Sequence, residues 1–340
     1  MNVASSVLNS EGGKALPPVV RALPKSIYGY VWRVTGRHQF FVCALSIVVF
    51  LMSAIPLELQ RRIVNDVIRA DDFTALTALC AAYAVVALAM GAIKLGFNIY
   101  RGYVGEKATR ELRRNIYSLT SALPSGDHTA EVEGVEIAMV VSEVEPVGSF
   151  VGISISEPLL QGGLLLTIFS YMAFLQPWLA LVAIALFSPQ LVFVPLMQAA
   201  VNRRVAERIQ VMRHISTGLI EENGRRHLGG PGAPDLSFEW RIRHVFGLNM
   251  RIFGWKYSMN FLMNLLYHSG VVGILLVGGW FVMSGDTQVG TVIAFISGLA
   301  QVNEPWGDLV NYFRESTTAQ TKYRMIENVF GGKAGRNVPT

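Results

Sequence analysis

Five ionisable side chains stand inside or beside long apolar stretches, where charge is expensive: Lys94, Glu157, His268, Glu304 and Asp308. Residues so placed are candidates for attracting or moving charge. Glu304 and Asp308 are four apart and would share one helix face. At helical rise, Lys94 falls roughly 31 Å from the start of its apolar run and Glu157 roughly 28 Å from the end of its own. Glu304 and Asp308 fall roughly 24 and 30 Å into the last run. These four therefore reach one common level. They could form a charged vestibule that draws in a cation or relays protons. Alternatively, Lys94 pairs with one carboxylate while the others sit in interfacial water. His268, in mid-run, could titrate or hydrogen-bond a neighbouring helix. No Ser, His and Asp residues make a recognisable catalytic set, so no catalytic residue is assigned. The six histidines have no partners at metal-ligand spacing, so no metal is expected. Cys43 and Cys80 both lie in apolar runs, which leaves neither a disulfide framework nor a zinc site.

The elements that must carry these residues follow from composition. Of 340 residues 51% are apolar and 16% charged, and mean hydropathy is +0.39. An average soluble protein has about 25% charged residues. Residues 74–93, 178–201 and 257–285 contain no Asp, Glu, Lys or Arg. Each is longer than the roughly 18 residues that mark a membrane helix. The chain reads as an all-α membrane protein with six spans: residues 40–57, 74–93, 146–176, 178–201, 257–285 and one beginning near Gln288. Pro177 separates the third from the fourth, because proline cannot continue a helix past the preceding turn. Residues 284–288, with Gly285 and Asp286, turn the fifth into the sixth. Gly270, Gly273, Gly278 and Gly279 in the fifth span permit close helix packing.

The loops alternate between short and long, and 25 of the 29 Lys and Arg residues fall on the long-loop side or in the terminal segments. The positive-inside rule then puts both termini and the long loops in the cytoplasm. A net charge of +5 and a pI near 9.2 are read as this inner-face excess and not as nucleic-acid binding. The first 37 residues hold no apolar run, so no cleavable signal peptide is expected. Leu112, Ile116 and Leu119 recur at helical spacing, as do Val205, Ile209, Met212 and Leu219. The spans are therefore expected to continue as helices into the cytoplasm and to turn near residues 124–129 and 229–234. Ile27, Tyr28, Tyr30, Val31 and Trp32 among basic residues fit a short interfacial helix. Residues 1–23 and 331–340 are expected to be tails, the first flexible, flanking a membrane domain over 24–330.

This pattern resembles the transmembrane domain of type-1 ABC exporters. Ile55-Pro56-Leu57-Glu58-Leu59-Gln60-Arg61-Arg62-Ile63-Val64-Asn65-Asp66 looks like the end of the family's first helix and its external link. Glu111-Leu112-Arg113-Arg114-Asn115-Ile116-Tyr117 is similar to the basic stretch where the second helix enters the cytoplasm. Gly290-Thr291-Val292-Ile293-Ala294-Phe295, Glu304-Pro305-Trp306 and Tyr323-Arg324-Met325-Ile326 resemble the sixth helix and its exit. The resemblance implies a permease subunit that moves substrate by alternating access, as a homodimer or with a second transmembrane domain. It also implies short coupling helices that dock on nucleotide-binding domains, near Glu131, Glu133 and Glu136 and near Glu221 and Glu222. The glycine and proline run at 229–234 departs from the helical loop usual there. No G-x-x-x-x-G-K-[ST] loop occurs, and Gly105-Glu106-Lys107-Ala108-Thr109 lacks the first glycine and the following Ser/Thr. ATP and Mg are therefore expected on a separate ATP-binding subunit, with no cofactor in this chain. The expected location is the bilayer of a bacterial inner membrane. Two alternatives stay open: a proton-driven peptide transporter with the same membrane fold, and a non-transporting assembly or regulatory subunit.

Overall fold

The computed structural model describes residues 23–67, 72–121, 143–227 and 236–334. Every regular element among them is a helix: α1 (Ile27–Met52), α2 (Ala54–Arg62), a π-helical turn (Ile63–Val67), α3 (Phe73–Ser121), α4 (Val144–Ile153), α5 (Ser156–Leu175), α6 (Pro177–Phe187), α7 (Pro189–His227), α8 (Leu236–Ser284) and α9 (Val289–Ala334). Among the described residues five stretches are long and apolar enough to cross a membrane: Ile27–Val67, Phe73–Ser118, Val144–Leu175, Pro177–Met212 and Phe238–Ser284. The sixth long helix, α9, is uncharged from Val289 until Glu304.

The breaks between helices have local causes. Gln176 is extended and Pro177 opens α6 at its first turn, where the missing N–H costs nothing. Gly285 has φ of +82° and closes α8. Its N–H bonds the carbonyl of Val282, while that of Asp286 bonds Phe281, the paired capping bonds of a glycine-terminated helix. Pro56 has no N–H for the carbonyl of Met52, and α1 ends there.

Two expectations are corrected. Residues 27–32 form no separate interfacial helix, because α1 runs unbroken from Ile27 to Met52. No proline intervenes, and Thr35 folds its hydroxyl onto the Val31 carbonyl at 2.8 Å. Ile27, Tyr30 and Val31 are buried in a core while Trp32 stays outside, so this stretch is an amphipathic first part of the same helix. Nor is the stretch after Leu57 a simple link. It is helical through Val67, with Leu57 fully buried.

The chain divides into two compact units. The first contains residues 23–47, 92–121, 143–160 and 311–334. Its core gathers Tyr30, Val31, Leu112, Ile116, Val147 and Tyr323. Phenolic hydroxyls seal it by donating to main-chain oxygens: Tyr30 to Ala108 at 2.8 Å and Tyr323 to Pro24 at 2.6 Å. Gln39 Nε2 donates to the carbonyl of Val151 at 2.9 Å. The second unit contains residues 48–67, 72–91, 161–227 and 236–310. Leu57, Ile168, Met172, Leu179, Ile274 and Phe295 are in its core. Asn65, in the π-helical turn, accepts from the main-chain N–H of Gly290 at 2.7 Å.

Candidate functional site

Glu157 owes its position to a proline beside it. Pro158 has no N–H to give the carbonyl of Ser154, so the helical ladder lapses between α4 and α5. Tyr312 of α9 fills that vacancy, its hydroxyl donating to the Ser154 oxygen at 2.6 Å. Glu157 then stands in the first turn of α5, where the helix dipole favours an anion.

Arg101 is brought to it by two glycines. Gly148 and Gly152, one turn apart on α4, face Thr109 and Arg101 of α3. A Cβ on Gly152 would lie 2.6 Å from the Arg101 carbonyl oxygen, and one on Gly148 would overlap the Thr109 side chain. Without those side chains the two backbones approach closely. The Arg101 guanidinium then forms an ion pair with the Glu157 carboxylate and lies over the Phe97 ring, 5.4 Å from its centroid. The arginine side chain is 26% exposed and that of the glutamate 13%. A cation and an anion thus stand together in apolar helices, largely out of solvent.

The ionisable residues expected from sequence sort unequally. Glu157's ion pair is with Arg101, two turns beyond Lys94 on α3, and Lys94 itself is exposed. In the second unit Asp308 accepts a hydrogen bond from Gln161 Nε2 at 3.1 Å, while Glu304, one turn earlier on α9, is exposed. His268 is exposed and its ring meets the edge of Tyr267, centroids 5.1 Å apart. Glu131, Glu133 and Glu136 lie outside the described residues, as do the turns expected at 124–129 and 229–234. Glu221 and Glu222 belong to α7, which is helical through His227.

Two features escaped sequence reasoning. Nothing in the sequence sets Arg101 apart from the other cations of α3, although Gly148, Gly152 and the Glu157-Pro158 pair are signals of a close approach. The second is Glu58, in the supposed link. It accepts from Arg61 Nε at 2.8 Å, Arg62 Nε at 2.6 Å and the Tyr171 hydroxyl at 2.8 Å. Its spacing of three and four to the arginines was visible, but Tyr171 was not.

Residues 39–223 match the family described as the ABC transporter transmembrane region. The chain is also similar to a Bacillus subtilis (strain 168) protein named "Putative multidrug export ATP-binding/permease protein YgaD", 23% identical over 313 residues. The alignment covers 86% of this chain and 52% of the other, so the chain spans about half the length of the curated relative it matches. The family match takes in the first-helix segment, the α3–α4 approach and the Arg101–Glu157 pair. With more than half of its length so matched, and with its order of long apolar helices, the chain belongs to the ABC transporter transmembrane region family, as an all-α, multi-pass membrane protein of the type-1 exporter fold.

Proposed function

We propose that residues 24–330 form the permease half of an ATP-driven exporter, in which two such transmembrane domains enclose a pathway and expose it to alternate sides of the membrane. ATP and Mg would be bound by nucleotide-binding domains supplied by a separate subunit. The match of residues 39–223 to the transmembrane region carries this reading. The relative's name joins ATP-binding and permease functions, which supports nucleotide-driven export without fixing how the two parts are connected here. The distribution of Lys and Arg supports a cytoplasmic side for the termini and long connections, and the membrane proposed is a bacterial inner membrane. Glu131, Glu133 and Glu136, with Glu221 and Glu222, are the proposed contacts to the nucleotide-binding domains. Lys94, Glu157, Glu304, Asp308 and His268 remain the ionisable residues proposed for the pathway, Glu157 through its partnership with Arg101.

The test begins with the protein purified from its native membrane. Mass spectrometry is expected to find an ATP-binding protein in stoichiometric amount. In reconstituted vesicles, a hydrolysis-dead form of that partner is expected to abolish transport while an uncoupler leaves it intact. A chain reproducibly free of any ATPase, whose transport an uncoupler stops, would overturn the proposal in favour of proton-driven transport.

A further inference from the structure

Away from the Arg101–Glu157 pair, the first unit carries a cationic cavity that the proposed transport cycle does not use. It is about 160 Å³ and lies between α1 and α3, with Arg33, Lys107, Arg110, Glu111 and Asn115 among its walls. A wider recess of about 370 Å³ shares Lys107 and Arg110 and adds Tyr103, Glu106 and Arg113. Together the two hollows present four cations against two carboxylates. Lysine and arginine carry only donors, so this excess suits an anion with several acceptor oxygens.

Lys107 is held in place. Its ammonium lies 2.9 Å from His38 Nε2, and His38 Nδ1 lies 2.6 Å from the Tyr100 hydroxyl. Because an ammonium can only donate, Nε2 accepts and Nδ1–H donates to the Tyr100 oxygen. One of three ammonium N–H groups is used in this way, and two further donors stay on a residue that lines both hollows.

Beside the cations runs a band of outward aromatic rings. Trp32, Phe40, Phe41 and Tyr103 are all exposed, Phe40 by 70%. They pack in two groups: Trp32 on Phe40 at 5.7 Å, and Phe41 on Tyr100 at 4.8 Å with Tyr100 on Tyr103 at 6.1 Å between centroids. Aromatic girdles mark the level where hydrocarbon gives way to headgroups. Side chains on a helix lean toward its N-terminus, so Lys107 leans along α3 toward Tyr103 and Tyr100 and the long apolar stretch before them. Exposed rings and clustered cations thus meet at one place, the requirement of a molecule with acyl chains and a charged head.

We infer that the α1–α3 cavity is a binding site for an anionic phospholipid, its phosphate held by Lys107, Arg110 and Arg33 and its acyl chains lying along Phe40, Phe41 and Tyr103. A free phosphate would use the cations and leave the rings idle, whereas a zwitterionic lipid would leave the excess charge uncompensated. The inference rests on the membrane placement of α1 and α3 and is independent of how transport is energised.

The test uses the full chain in mixed micelles of phosphatidylglycerol and phosphatidylcholine, with a photoactivatable phosphatidylglycerol as probe. Cross-links are expected within residues 27–41 and 97–114, and an equal excess of unlabelled phosphatidylglycerol should compete better than phosphatidylcholine. Lys107→Gln and Arg110→Gln should each weaken labelling about fivefold, the factor expected for one surface cation. Arg251→Gln, on α8, should leave labelling unchanged, and Lys107→Arg should restore most of it. Labelling spread evenly over the apolar helices would overturn the inference, as would full labelling of the Lys107→Gln/Arg110→Gln variant. Competition by millimolar inorganic phosphate would also overturn it, by showing a site for free phosphate. If the double variant does not fold, the cross-link map and competition series on the unaltered chain decide between these outcomes.

Discussion

Glu58 and Glu157 are both glutamates held by arginine in or beside apolar helices, but they are held in different ways. Glu58 takes its arginines from the next turn of its own helix, three and four residues on. That contact exists once α2 forms, and Arg62 remains 56% exposed. Glu157 takes its arginine from 56 residues away, and only because α3 and α4 approach closely at Gly148 and Gly152. The first pair follows from helix formation alone. The second reports on tertiary packing and fails when the packing fails.

The strongest way to break this distinction is to fill the approach. Gly148→Leu, whose side chain would have to occupy the space of Thr109, is expected to abolish a monodisperse peak in size-exclusion chromatography. Overpacking a tight contact typically costs about 1–3 kcal/mol, and here more than about 3 kcal/mol is expected because the clash reaches the main chain of α3. A normal elution profile would show that α3 and α4 can part without loss. Next in size is Arg101→Met, which strips the mostly buried Glu157 of its ion-pair partner. A loss of about 3 kcal/mol is expected in thermal unfolding, largely recovered in the Arg101→Met/Glu157→Met double variant. A cycle with no coupling would reduce the pair to a bystander. Tyr312→Phe leaves the Ser154 carbonyl without its donor and is expected to cost about 1–2 kcal/mol, seen as a lower melting temperature with an unchanged helical spectrum. The smallest effect is expected from Glu58→Gln, about 1 kcal/mol or less, because its arginines keep access to solvent. If Glu58→Gln proved costlier than Arg101→Met, the distinction between local and tertiary pairing would be reversed.

What could be read from sequence was what neighbouring residues decide. Pro177 ends one helix and begins another by its own missing N–H. Gly285 with Asp286 makes a cap within a few residues. The runs without charge determined where the apolar helices lie. The separate interfacial helix at residues 27–32 failed because Trp32, with Arg33 and Arg37 after it, lies on the exposed face of a single helix, α1, which runs on to Met52 without a break. Glu157 was recognisable as an outlier, but its partner was not. Which cation reaches it depends on the rotation and separation of α3 and α4, and those are set by two glycines whose meaning appears only when the helices meet. Asp308 was likewise visible, whereas Gln161, 147 residues before it, carries no sign of the bond it makes.

The bond from Tyr312 to Ser154 has a consequence in time as well as in space. Pro158 frees a main-chain oxygen as soon as α4 and α5 are synthesised, yet the hydroxyl that satisfies it is encoded 158 residues later, in α9. A bilayer offers such an oxygen few other donors. During biogenesis the bend before Glu157 therefore stays provisional until α9 enters. A nascent chain arrested before Tyr312 should keep that segment open to water, so α9 acts as the clasp that closes this bend.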